Sequence, residues 1–327
     1  MGPNSQTSKL RTGSNARAEE IWLMTPDIYY IHRGKIPRYL LCSMENTRVF
    51  NPDARIFLLG DASHPRFNRL GVTLIPFDTL PHEDLDFFQA SYRHTSGNPE
   101  AFERFCFARW FYLHEAVRAN GTEIAIHLDS DCLIFDSADA LAQRLLPEKA
   151  LCYFGPDGNP HLALFRPEGI SGMAATLRTL FQTDYYRDWA QMNWREMRRF
   201  FCDMAGLDYY VQQNPGAVFD QTEWPDAIVE QTMSVAHGYA LWPGRKKMKR
   251  VQWRIEHDKL VPYLTRVVDG SQVRALALHY KGASKRYMRR FNRVSDFAVA
   301  QKIRCFLNNQ IPPINRSTLI LKGSNPT

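Results

Sequence analysis

Residues 124–135 read Ile124-Ala125-Ile126-His127-Leu128-Asp129-Ser130-Asp131-Cys132-Leu133-Ile134-Phe135. A mostly apolar run ends at two carboxylates one residue apart, and a second apolar run follows at once. A short continuous apolar run bounded by a turn signal is the pattern of a strand buried on both faces, as in a parallel sheet. In open α/β sheets ligands gather at the carboxyl ends of the strands. The reading therefore places Asp129-Ser130-Asp131 where a ligand binds.

Working outward, residues 99–120 carry Phe102, Phe105, Phe107, Trp110, Leu113, Ala116 and Val117 at helical spacing, with Asn98 as the expected cap and Asn120-Gly121 as the stop. Upstream, residues 28–31, 55–59 and 72–76 read as strands, and residues 37–50 as a helix. Such alternation predicts βαβ units, hence an α/β fold with a mostly parallel, Rossmann-like sheet flanked by helices. Downstream, strands are expected at 152–154, 161–165, 251–254 and 276–280, helix over most of 171–206, and a closing helix at 291–307. No internal repeat or linker interrupts this, so the expectation is one catalytic domain over 21–307 between polar tails at 1–20 and 308–327.

The 327 residues are 44% hydrophobic and 13% aromatic, ample for a packed core. No apolar run approaches the roughly 18 residues of a membrane span, and residues 1–20 lack the apolar centre of a signal peptide. A cytoplasmic location is expected. The six cysteines include no C-x-x-C pair, which favours free buried thiols in a reducing compartment. Residues 245–304 hold 17 of the 41 Lys+Arg but 4 of the 34 Asp+Glu, so the positive charge belongs to the C-terminal third. Its densest clusters are Arg245-Lys246-Lys247-Met248-Lys249-Arg250 and Lys285-Arg286-Tyr287-Met288-Arg289-Arg290. Solvated faces, substrate phosphates and peripheral docking on the inner face of an anionic membrane all fit such runs. Without a helix-turn-helix, zinc or RNP-like signature, nucleic acid is not an expected partner.

Two carboxylates at i and i+2 beyond a strand can both reach a divalent cation, and hard oxygen ligands suit Mn²⁺ or Mg²⁺. The alternative is a solvated turn. Asp84-Leu85-Asp86 has the same spacing but follows no strand, and is read as an ordinary acidic stretch.

Context makes the first pair specific. Arg109-Trp110-Phe111-Tyr112-Leu113 followed by His127-Leu128-Asp129-Ser130-Asp131-Cys132-Leu133-Ile134 resembles the helix, strand and D-x-D element of nucleotide-sugar glycosyltransferases of the GT-A fold, and is most similar to the retaining family 8. His279-Tyr280-Lys281-Gly282-Ala283-Ser284-Lys285 resembles that family's H-x-x-G-x-x-K motif. The resemblance implies that Asp129, Asp131 and His279 ligate the metal, and that Ser130, Gly282 and Lys285 join Asp129 in binding the donor. Arg109 is carried over as a donor contact, with a surface ion pair as the alternative.

Phe219-Asp220-Gln221-Thr222 resembles the family's D-Q-D segment, which implies that Asp220 and Gln221 lie near the reacting sugar carbon; the alternative is that Asp220 caps a helix starting near Pro225. His32 and Asp61, at the ends of the first two strands, are candidates for the nucleoside pocket. The chain departs from the family pattern at Arg286-Tyr287, at Thr222, and around residues 161–172, where an acceptor-side Asn-x-Gly has no counterpart.

The resemblance implies transfer of a sugar, with retention, from a nucleoside-diphosphate donor, a UDP-sugar favoured, to a glycan, lipid-linked or protein hydroxyl, in a setting such as bacterial surface-glycan assembly. Two rivals stay open. One is a non-catalytic basic binding protein on the same scaffold. The other is a metal-dependent nucleotidyltransferase, although no P-loop motif occurs.

Overall fold

The strand Asp27–His32 (β1) is buried over nearly its whole length, as a strand covered on both faces must be. Its two tyrosines leave the sheet on opposite sides. Tyr29 stacks on Phe57 with centroids 4.9 Å apart and bonds Thr122 at 2.6 Å. Tyr30 reaches Ser43 at 2.9 Å and Thr47 at 2.7 Å. One strand thus joins two separate cores, and each phenol carries its own polar partner into the interior.

The computed structural model describes residues 25–191, 201–243 and 248–288. After β1 come α1 (Arg38–Phe50), β2 (Ile56–Gly60), α2 (Arg66–Leu70), β3 (Val72–Ile75), α3 (Glu83–Ser91), α4 (Glu100–Ala119), β4 (Ala125–Leu128) and β5 (Cys132–Ile134). Then follow α5 (Ala138–Leu145), β6 (Cys152–Gly155), β7 (Asn159–Phe165), α6 (Pro167–Thr179), α7 (Asp184–Gln191), α8 (Asp203–Gln213) and β8 (Val218–Phe219). The last described elements are β9 (Ala227–Glu230), β10 (Val251–Glu256), β11 (Lys259–Thr265), β12 (Gln272–His279) and the short α9 (Lys285–Met288).

The central sheet has the order β3-β2-β1-β4-β7-β6-β8. Pairing is parallel from β3 through β4 and between β6 and β8, and antiparallel where β7 meets β4 and β6. This is the expected mixed α/β architecture with a mostly parallel sheet between helices. One face packs on α3, α4 and α6 through Phe88, Phe107, Trp110 and Leu177; the other packs on α1 and α5 through Leu40, Met44, Leu141 and Leu145. Among the described residues, no helix is long and apolar enough to cross a membrane.

A second sheet, of order β10-β11-β12-β5 with β9 also paired to β12, is mostly antiparallel. It has its own core around Phe135, Trp253, Leu264 and Tyr280. The chain crosses from the first sheet to the second between β4 and β5, and the D-x-D residues make that crossing.

Several expectations need correction. Asn98 does not cap α4: Pro99 occupies the cap position without a side-chain cap bond, and Asn98 Nδ2 instead donates to Glu103 Oε1 at 2.5 Å. A carboxylate draws the amide as a donor where capping needed it as an acceptor. Phe102, counted in the apolar face of that helix, is 55% exposed. No helix starts at Pro225, because residues 227–230 form β9 inside the second sheet. The Asp84-Leu85-Asp86 stretch lies in the first turn of α3, where Asp84 pairs with Arg178 at 3.0 Å. The expected helix at 291–307, both tails, and the basic residues 245–247 and 289–290 lie outside the described residues.

Candidate metal centre and cleft

Register brings the centre together. In the antiparallel pairing of β5 with β12, His279 stands opposite Cys132, so the last residue of β12 arrives beside Asp131. The Tyr280 amide closes this pairing on the Asp131 carbonyl at 2.9 Å. The Asp129 amide donates to the His161 carbonyl at 2.9 Å, extending the β4–β7 ladder by one bond, and the Cys132 amide folds back on the Asp129 carbonyl at 3.0 Å. The three-residue crossing is thereby anchored at both ends, and its carboxylates turn to the same side.

Candidate ligand atoms of Asp129, Asp131 and His279 all lie within 4.8 Å of one another. His279 Nδ1 is 2.8 Å from the Gln231 carbonyl, an oxygen that can only accept, so Nδ1 carries the proton when the ring is neutral. Nε2, 3.5 Å from Asp131 Oδ1, is left with its lone pair facing the carboxylates. Two carboxylate oxygens and one imidazole nitrogen form a donor set that suits a divalent cation, with the nitrogen favouring Mn²⁺ over Mg²⁺.

Positive side chains surround the pair. Arg109 Nη1 meets Asp129 Oδ1 at 2.7 Å, and its Nη2 meets Asp203 Oδ2 at 2.5 Å. Asp203, the first residue of α8, also accepts from the indole of Trp110 at 3.2 Å. Burial favours a neutral Asp129, but Arg109, His127 and His279 together outweigh it and hold the carboxyl well below the usual range. Burial likewise disfavours the Arg109 charge, and Asp203 and Asp129 together more than restore it. Lys285 Nζ lies 3.0 Å from Asp131 Oδ2 and 4.8 Å from the Tyr39 ring centroid; burial lowers its pKa, but Asp131 raises it further. The His161 ring stacks on His279 at 4.6 Å and 6°, and burial pushes its pKa well down, so it lies there as a neutral plate.

The centre opens into a cleft of about 1110 Å³, large enough for a nucleotide-sized ligand. Of the residues singled out from sequence, His32, Arg109, Asp129, Ser130, Asp131, His279, Gly282 and Lys285 line it together. Gly282 has φ +59°, a conformation that glycine adopts without strain. Arg109 is not a surface residue: its side chain is 13% exposed and committed to two carboxylates. Asp61 stands outside the lining and braces the loop after β1, accepting the Gly34 amide at 2.7 Å. Asp220 and Gln221 are exposed and also outside the lining, with Gln221 Nε2 donating to the Glu223 carbonyl at 3.0 Å.

The cleft wall also carries Glu230 and Gln231. The sequence reading missed this acid-glutamine pair, although it follows the apolar run Ala227-Ile228-Val229 just as Asp129 follows its own. It also missed Asp203 and His161, for which no local signal exists. Lys249 was read as part of a basic surface run, and this is corrected: its side chain is 2% exposed and forms an ion pair with Glu230. A Cβ on Gly155 would press on the end of the Gln231 side chain, 2.9 Å from Cδ, which would have to shift. Gly155→Ala is expected to displace the Gln231 amide at a cost in stability of about 1 kcal/mol or less, which urea unfolding would read.

Fold and site together define an α/β protein with a cleft able to hold a divalent cation between two aspartates and a histidine. No protein-family model matches the sequence, and no curated protein matches it either. Among solved structures the chain is similar to an active-site mutant of LgtC, at 14% identity over 85% of this chain and 99% of that one, TM-score 0.47. It is also similar to the glycosyltransferase GlyE of Streptococcus pneumoniae TIGR4, at 12% identity over 89% of this chain and 66% of that one, TM-score 0.46. A third likeness is to a cytidylyltransferase from Leptospira borgpetersenii serovar Hardjo-bovis, at 11% identity over 62% of this chain and 99% of that one, TM-score 0.32. Likeness at this level bears on neither donor nor acceptor.

Proposed function

We propose that this chain is a metal-dependent glycosyltransferase of the GT-A type, its catalytic domain spanning 21–307. It moves a sugar from a nucleoside-diphosphate sugar, a UDP-sugar favoured, to a hydroxyl of a glycan, lipid-linked or protein acceptor. The observation that carries this reading is the meeting of Asp129, Asp131 and His279 with Lys285 in one cleft. Two aspartates from the end of one strand and a histidine from the end of another, with a lysine within reach, form a site for a cation and the diphosphate it accompanies.

A divalent cation bound there supplies positive charge to the departing diphosphate. The protein's own residues do the rest. Arg109 keeps Asp129 ionised, and the Gln231 carbonyl keeps His279 Nε2 free to ligate. Lys285, half-buried and 3.0 Å from Asp131, would be placed to meet a phosphate bound beside that carboxylate. Gly282 lets the backbone approach the phosphates closely. Catalysis on this reading is positioning and electrostatic stabilisation of the leaving group while the acceptor hydroxyl attacks. Retention of configuration follows if the resemblance to family 8 extends to the sugar pocket, and bacterial surface-glycan assembly is the setting we favour.

A thermal-shift screen of UDP-, GDP-, CMP- and dTDP-sugars with and without Mn²⁺ tests this, because a ligand that binds only the folded state raises its melting temperature. A metal-dependent rise of about 3–6 °C with one nucleotide-sugar is expected. A uniform absence of shift would turn the assignment toward the non-catalytic binding protein. A rise with a free nucleoside triphosphate in place of any nucleotide-sugar would favour the nucleotidyltransferase.

A further inference from the structure

Glu230 and Lys249 form an ion pair whose side chains are 1% and 2% exposed, in the cleft wall beside His279. Removing both charges from water costs nearly as much as their attraction returns, so such a pair adds little stability over apolar residues of the same size. Its contacts point elsewhere. Glu230 Oε1, besides taking the lysine, accepts the Thr232 amide at 2.9 Å. The Lys249 amide donates to the Met233 carbonyl at 3.0 Å, and the Met233 amide donates to the His279 carbonyl at 3.0 Å. Between these ties lies Gln231, whose carbonyl takes the Nδ1 proton of His279 at 2.8 Å. The turn that aims the histidine is therefore held from behind by Lys249, through both its side chain and its main chain.

We infer that Lys249 is a positioning residue for the metal centre: paired with Glu230, it fixes the 230–233 turn so that the Gln231 carbonyl presents His279 Nε2 to the cation. This rests on the reading of Asp129, Asp131 and His279 as a metal centre. Groups one step removed from a metal commonly set its affinity by a factor of about 10–100, because they fix the tautomer and direction of the ligand. The Tyr239 ring also lies 5.3 Å from Lys249 Nζ.

The test is a Mn²⁺ titration of the full chain, followed by electron paramagnetic resonance of the free ion, with melting temperatures measured alongside. Glu230→Gln/Lys249→Met leaves no buried unpaired charge and is expected to fold, yet to bind Mn²⁺ at least about tenfold more weakly. Lys249→Arg, which keeps charge and donor, is expected to stay within about threefold of the parent. Leu141→Ala, a core truncation in α5, is expected to lower the melting temperature without changing Mn²⁺ affinity. Parent-like Mn²⁺ affinity in the double variant would overturn the role of Lys249 and leave the metal centre standing. A parent protein that binds no Mn²⁺ at millimolar concentration would overturn the metal centre itself, and the inference with it.

Discussion

Asp131→Asn is expected to lower sugar transfer on the order of 10³-fold or more while leaving the fold intact. The carboxylate is only 8% exposed, and its oxygens face His279 Nε2 at 3.5 Å and Lys285 Nζ at 3.0 Å. An amide fills the same space but brings no charge to a cation. In the unliganded protein the loss is mild, since the amide keeps the shape of the carboxylate and Lys285 is partly exposed and finds water. Stability and function are thereby separated. Circular dichroism and urea unfolding should match the parent, whereas Mn²⁺ binding and transfer should both collapse. A parent-like rate in the variant would remove Asp131 from the mechanism.

Arg109→Met is expected to destabilise the protein by about 3–5 kcal/mol, the usual result of breaking a buried ion pair from one side. Among the described residues, Asp203, at 7% exposure, is then left with the Trp110 indole, and Asp129 loses the Arg109 charge. Arg109→Lys is expected to recover part of the loss, because an ammonium reaches one carboxylate well but cannot span two with a planar fork. Adding Asp203→Asn to Arg109→Met should restore some stability by removing the stranded charge, so a double-mutant cycle from urea unfolding isolates the coupling. Additive losses would mean that the two side chains do not act as a unit. Metal affinity should fall in Arg109→Met as well, since Asp129 is no longer held to one direction.

The cleft combines residues of very different legibility. Asp129 and Asp131 were readable because they follow an apolar strand run, a change marked locally, and His279 because its setting with Gly282 and Lys285 resembles a known motif. Arg109 was readable as a candidate but not in its role, which is set by Asp203, 94 residues away. Asp220-Gln221 and Glu230-Gln231 are the same kind of signal ten residues apart. What separates them is that the structure leaves the first pair on an exposed connection and places the second at the end of β9, in the cleft wall. Pairing between strands distant in sequence decides that, and no local pattern encodes it.

From its sequence alone the chain determined the alternation of strands and helices, the α/β class, and the strand-end carboxylates, because hydrophobic periodicity and turn residues act over a few neighbours at a time. Only the tertiary structure decided that β5, β9 and β12 form a second sheet, that His279 arrives opposite Cys132, and that one lysine of a basic run turns inward to Glu230. The physical reason is that register and ion pairing are settled by the packing of distant segments, where a buried charge is tolerated only beside the partner that the fold supplies.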